Sequence, residues 1–125
     1  MTYFVTLSLL LLGVIHLLPA IGVSGNDRLL SLYGIAIDDP NVSILMRHRA
    51  VLFGLLGAFL VVAAFVPALQ LLAFIAAFIS LASFLCVAWS VGGYNTKLGR
   101  VARIDIAAVA ILVVGFGAYA MQRWG

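Results

Sequence analysis

Residues 68–91 read ALQLLAFIAAFISLASFLCVAWSV, a run without one charged side chain, stopped by Gly92 and Gly93. An uncharged apolar stretch longer than about 18 residues is long enough, as a helix, to cross the hydrocarbon of a bilayer. Just before it, Pro67 marks a short uncharged turn, and residues 50–66 form a second apolar stretch. Asp39-Pro40 reads as an N-cap followed by proline at the first helical position, so this second helix is expected to begin before its lipid-buried part. Toward the C-terminus a further span is expected from about Arg103 to Met121. Toward the N-terminus the first span runs over residues 3–23, with a kink expected at Pro19 and the turn Gly25-Asn26-Asp27 closing it. The connection at 28–39 holds Leu29, Leu30, Leu32, Tyr33, Ile35 and Ile37. It is too apolar for a free loop and too short to span, and is expected to lie along the membrane interface.

Spans at about 3–23, 44–66, 68–91 and 103–121, together with the connections between them, account for nearly all of the 125 residues as a single transmembrane domain. Composition agrees: 66% of residues are hydrophobic, 9% are charged, and the mean hydropathy is +1.26. Soluble domains are about 45–50% apolar and 25% charged, so a soluble globule is excluded. The expected fold is all-α, an integral membrane, antiparallel bundle of four transmembrane helices. The N-terminal stretch has no Lys or Arg before its apolar run, so it reads as a retained span rather than a signal peptide. The formal charge of +3 does not indicate nucleic acid, because the basic residues are few and sit at helix ends. Cys86 is alone, which excludes a disulfide pair, a CxxC redox motif and a thiolate metal cluster.

Orientation follows from charge. Arg28, Arg47, Arg49, Lys97, Arg100 and Arg103 belong to the two connections on one side, and only Arg123 to the other. Basic loops stay cytoplasmic, so both termini are expected on the outer, periplasmic side. Trp89, Trp124, Tyr3 and Tyr94 sit near span ends as interfacial belt residues.

Heptad spacing places one small or polar stripe on each helix. The stripes are Thr6, Leu9, Gly13, His16 and Ala20; then Arg47, Ala50, Gly54, Gly57, Val61 and Ala64; then Ala73, Ala76, Ser80, Ser83, Val87 and Ser90; then Asp105, Ala108, Leu112, Gly115, Tyr119 and Gln122. Lipid supplies no hydrophobic force between helices, so close backbone approach at small residues and interhelical hydrogen bonds must hold them together.

The candidate polar cluster is His16, Arg47, His48, Arg49, Ser80, Ser83 and Asp105. An ionisable side chain within the hydrocarbon is a functional candidate by default, and His16 is the one so placed. Two readings stay open for it: a structural hydrogen bond, satisfied by Ser80 or Ser83, and a ligand or proton role. Arg47, His48 and Arg49 read as a positive-inside anchor whose long side chains snorkel. Alternatively, Arg47 pairs with Asp105 and closes the cytoplasmic mouth, since a carboxylate just inside a span needs a partner. Asp105 also fits a helix N-terminus on dipole grounds. Asp38 and Asp39 read as caps; no third ligand joins them, and no metal is expected. His16 and His48 are the two side chains available to a haem, but only one of them faces inward. No glutamate is present, which disfavours the four-span small multidrug exporters, and no phosphate loop, nucleophile elbow or zinc motif appears.

The run Leu32-Tyr33-Gly34-Ile35, then Asp38-Asp39-Pro40-Asn41, then Met46-Arg47-His48-Arg49-Ala50-Val51-Leu52-Phe53-Gly54 resembles a group of uncharacterised small four-span bacterial membrane proteins, over most of the chain. Length and layout also resemble the DoxX-like four-helix membrane proteins. The resemblance implies a bacterial inner membrane and brings no catalytic residue. Some proteins of the first group carry the label phosphopantetheine adenylyltransferase. That activity needs a soluble nucleotide-binding fold with a phosphate-contacting histidine motif, and the sequence supplies neither.

The leading expectation is a small auxiliary or structural membrane protein without catalysis of its own. It would associate with membrane lipids, with itself or with a larger membrane complex, and hold a lipid or quinone. Two alternatives stand beside it. One is an enzyme on an isoprenoid-like substrate, with His16 as acid or base and Arg47 and Arg49 on an anionic head group. The other is a small dimeric transporter, which needs a polar path although the outer half offers only Gln70, Tyr119, Gln122 and small hydroxyls.

Overall fold

The computed structural model describes residues 2–19 and 39–124, and these are all helix and short connections. Four helices occur among them: α1 (Thr2–Leu17), α2 (Pro40–Ala63), α3 (Pro67–Val91) and α4 (Thr96–Trp124). The interfacial segment expected at 28–39 and the end of the first span fall almost wholly outside the described residues.

Local sequence sets the helix ends. The Asp39 side chain accepts the Asn41 N–H at 2.9 Å and Pro40 opens α2, the cap and proline expected there. Pro67 opens α3 in the same way, directly after the turn at 64–66. Gly92 and Gly93, at φ of 68° and 65°, end α3 in a left-handed conformation that only glycine adopts cheaply. In α1 the chain tightens into a 3-10 turn at Leu18 and Pro19, and whether the helix kinks there, as expected, lies outside the described residues. The fourth helix starts at Thr96, ahead of the span expected from Arg103, because the Asn95 side chain accepts the Leu98 N–H at 2.8 Å and caps it. Lys97, Arg100 and Arg103 therefore ride on the first two turns of α4.

α2, α3 and α4 are each long and apolar enough to cross a membrane, and α1 is a shorter apolar helix. At about 1.5 Å per residue the three long helices measure roughly 36, 38 and 44 Å, against about 30 Å of hydrocarbon. In α2 only 17% of the most apolar 18-residue window is buried inside the protein. The remaining apolar surface faces outward, well beyond the patch size that soluble monomers expose.

Each helix packs mainly on its two neighbours in chain order, and α4 closes the ring on α1. Contacts of α1 with α2 run in opposed order: Thr6 meets Ala64, Gly13 meets Gly57 and Val61, and His16 meets Phe53. The core is built from Val5, Leu9 and Leu12 of α1, Leu60 and Ala63 of α2, Ala73, Phe74, Ala77 and Leu81 of α3, and Ala108, Leu112 and Tyr119 of α4.

Glycines set the closest approaches. A Cβ on Gly57 would lie 2.8 Å from the Gly13 carbonyl oxygen, and one on Gly115 would lie 2.5 Å from the Ser8 Cβ. The stripes of α1, α2 and α4 mark these faces at Leu9, Gly13, His16, Ala50, Gly57, Ala64, Ala108, Leu112, Gly115 and Tyr119. Arg47 and Gln122, expected on them, are exposed.

The stripe on α3 departs from expectation. The helix buries Gln70, Ala73, Phe74, Ala77, Leu81 and Leu85, while Val87 is 61% exposed and Ser83 and Ser90 face out. Space between helices must be filled to interior density, and large side chains do that where small ones leave a void.

Candidate functional site

The polar cluster is organised around His16, which is 2% exposed. Its Nδ1 lies 2.8 Å from the Leu12 carbonyl and its Nε2 lies 3.0 Å from Ser80 Oγ. A carbonyl only accepts, so Nδ1 carries a proton, and in the neutral ring Nε2 then accepts the Ser80 hydroxyl. The Leu12 bond lies within α1 and fixes the ring, while the Ser80 bond ties α1 to α3. Both ring nitrogens are thereby engaged inside the protein.

Phe53 of α2 covers this unit, its ring 5.8 Å from that of His16 and inclined by 32°. On the Phe53 ring, 4.6 Å from the centroid, sits the Arg49 guanidinium, which also stands 5.9 Å from the centroid of Phe84. A cation over an aromatic face is attracted by the ring quadrupole, the more strongly when desolvated. Asp105 of α4 is half-buried. Beside Arg49 a shallow groove of about 170 Å³ runs between α2 and α3, lined by Leu52, Phe53, Leu56 and Ser80.

Of the seven residues singled out in the sequence, His16 and Ser80 come together by a hydrogen bond, and Arg49 stands on Phe53, the ring that covers them. Arg47 and His48 are exposed. Ser83 is exposed and its hydroxyl donates to the Ser80 carbonyl at 3.0 Å, so it takes no part in holding His16.

Phe53 and Phe84 escaped the sequence reading. The signal was helical spacing, since Phe53 lies four residues after Arg49 and Phe84 four after Ser80, on the same faces.

At the opposite end the turn between α2 and α3 is knitted to its neighbours through one atom. The Ala64 carbonyl accepts from Thr6 Oγ1 at 3.2 Å and from Gln70 Nε2 at 3.4 Å. Near it Phe74, Phe116, Tyr119 and Trp124 form a run of ring contacts with centroids 5.7 to 6.4 Å apart. Among the described residues no group of three His, Cys, Asp or Glu side chains gathers where it could hold a metal ion. No protein-family model, curated protein or solved structure matches the chain.

Proposed function

We propose that this chain is a small auxiliary protein of the bacterial inner membrane: an antiparallel bundle of four transmembrane helices without catalysis of its own, which holds a lipid or quinone against its flank. The observation that carries the reading is the bonding of His16. With Nδ1 on the Leu12 carbonyl and Nε2 on Ser80, the deeply buried imidazole of His16 is used to join helices. The enzyme alternative needs His16, Arg47 and Arg49 to converge on one cavity, and exposed Arg47 does not support it.

The opposed order of contacts between α1 and α2 and the ring of neighbours support an antiparallel bundle. Apolar outer faces support lipid as the solvent, and six basic residues on two same-side connections support cytoplasmic connections with both termini outside. The groove beside Arg49 supports the ligand class: its floor is apolar, it opens sideways between two helices, and a cation stands at its rim. That combination suits a chain or ring whose polar end lies at the cytoplasmic interface.

Native mass spectrometry of protein extracted gently from its own membrane tests this. The expected result is a complex with itself or a partner that retains a lipid or quinone, with retention falling about tenfold in Arg49→Ala. Turnover of a bound isoprenoid that stops in His16→Asn, with the fold intact, would overturn the reading.

A further inference from the structure

At the end of the bundle away from Arg49 lies a cavity of about 370 Å³, lined by Val5, Pro67, Gln70, Tyr119, Gln122 and Arg123. Pockets that hold small ligands begin near this size. Two of its polar walls are deeply set: Gln70 is 8% exposed and Tyr119 is 6% exposed. The Gln70 amide nitrogen is committed to the Ala64 carbonyl, which leaves Oε1 as an acceptor with no hydrogen-bond partner among the described residues. The Tyr119 hydroxyl likewise has none. No fully enclosed side-chain nitrogen or oxygen among the described residues is unpaired, so both atoms front open space, and this cavity is the space the two residues share. Arg123, at the rim, has no ion-pair partner among the described residues, and no lining residue is acidic.

An acceptor, a phenol and a cation around one cavity define what fits there. The cation asks for an anion, the phenol donates to a second oxygen, and Gln70 Oε1 asks for a hydroxyl or amine donor. We infer that this cavity is a headgroup site for an anion of the glycerophosphate class, a phosphate ester that carries a free hydroxyl. A phosphocholine head offers Gln70 no donor, and a phosphoethanolamine head brings its own positive charge toward Arg123. The surroundings favour the lipid form of this chemistry. Tyr119 packs on Phe74 and Phe116, and those two rings also line an apolar groove of about 210 Å³ with Phe78 and Leu112, a path for an acyl chain. Exposed Trp124 and Tyr3 lie at the same end, as side chains at a membrane interface do.

The site lies apart from the groove beside Arg49, so its test is separate. The whole protein, delipidated in detergent, is titrated with phosphatidylglycerol, phosphatidylcholine and free glycerol 3-phosphate, and retained ligand is read by native mass spectrometry. Phosphatidylglycerol is expected to be retained about tenfold over phosphatidylcholine. Tyr119→Phe and Gln70→Leu are each expected to cut retention about five- to tenfold, the worth of one ordinary hydrogen bond. Arg123→Gln should erase the preference for the anionic lipid. Tyr119→Phe keeps the ring packing, so its result is readable even if Gln70→Leu fails to fold. Glycerol 3-phosphate that competes at equal concentration would support the site and assign its ligand to the aqueous phase. Equal retention of the two lipids, or retention unchanged in Tyr119→Phe, would overturn the inference.

Discussion

Gly57→Val is expected to destabilise the folded bundle by about 3 kcal/mol, the upper end of what overpacking costs. The added Cβ would stand 2.8 Å from the Gly13 carbonyl oxygen and 2.7 Å from Leu17 Cγ. Leu17 can turn aside, but a backbone oxygen cannot, so α1 and α2 must move apart. Separation forfeits dispersion contacts along the whole interface, and in lipid there is no hydrophobic term to offset the loss. Gly13→Val meets the same interface from the other side, with the Gly57 carbonyl oxygen 3.0 Å away. Because the two glycines share one contact, the double variant should cost less than the sum of the singles. Gly117 serves as the control, since nothing lies within 4 Å of where its Cβ would be. Gly117→Ala should be neutral or stabilising by up to about 1 kcal/mol, from helix propensity alone. Reversible unfolding in mixed micelles measures all four variants.

The second large effect belongs to His16. His16→Ala is expected to cost about 2–3 kcal/mol, the lost hydrogen bonds and the space left behind together. Ser80→Ala removes a smaller group but leaves Nε2 of a buried ring without its partner, so about 1–2 kcal/mol is expected. The interaction energy from the double-mutant cycle should be near 1 kcal/mol, because a serine freed of His16 can turn its hydroxyl back to its own helix. A coupling near zero would mean that the bond between α1 and α3 does not hold the helices together.

Which parts of this arrangement were legible in the sequence depends on the kind of physics involved. Helix ends were, at Asp39-Pro40, Pro67 and Gly92-Gly93, because capping and left-handed backbone are local matters of a few residues. The close faces of α1 and α2 were legible at Gly13 and Gly57, because small residues are the means by which backbones approach. On α3 the same spacing held at Ala73 and Ser80 and failed at Ser83, Val87 and Ser90. Ser83 satisfies itself on the Ser80 carbonyl, and Ser8 does the same on Phe4 at 2.6 Å. A serine's direction is therefore free, and the bulk of Phe74, Leu81 and Leu85 decides the rotation of the helix. The site was half legible for a related reason. His16 and Ser80 stood out as polar residues at matching depth, whereas the seating of Arg49 on Phe53 and beside Phe84 depends on how α2 and α3 pack, which no residue type records.

Membrane topology is the most direct test of the central claim, that the chain is a four-span bundle with its basic connections in the cytoplasm. With exposed Cys86 replaced by serine, single cysteines are placed at Tyr3 and Trp124, and at Asn41 and Thr96, four exposed positions that leave every basic residue in place. A membrane-impermeant maleimide is then applied to spheroplasts before and after permeabilisation. The account predicts that positions 3 and 124 label from outside and that positions 41 and 96 label only once the membrane is opened. Labelling of positions 41 and 96 in intact spheroplasts would contradict it.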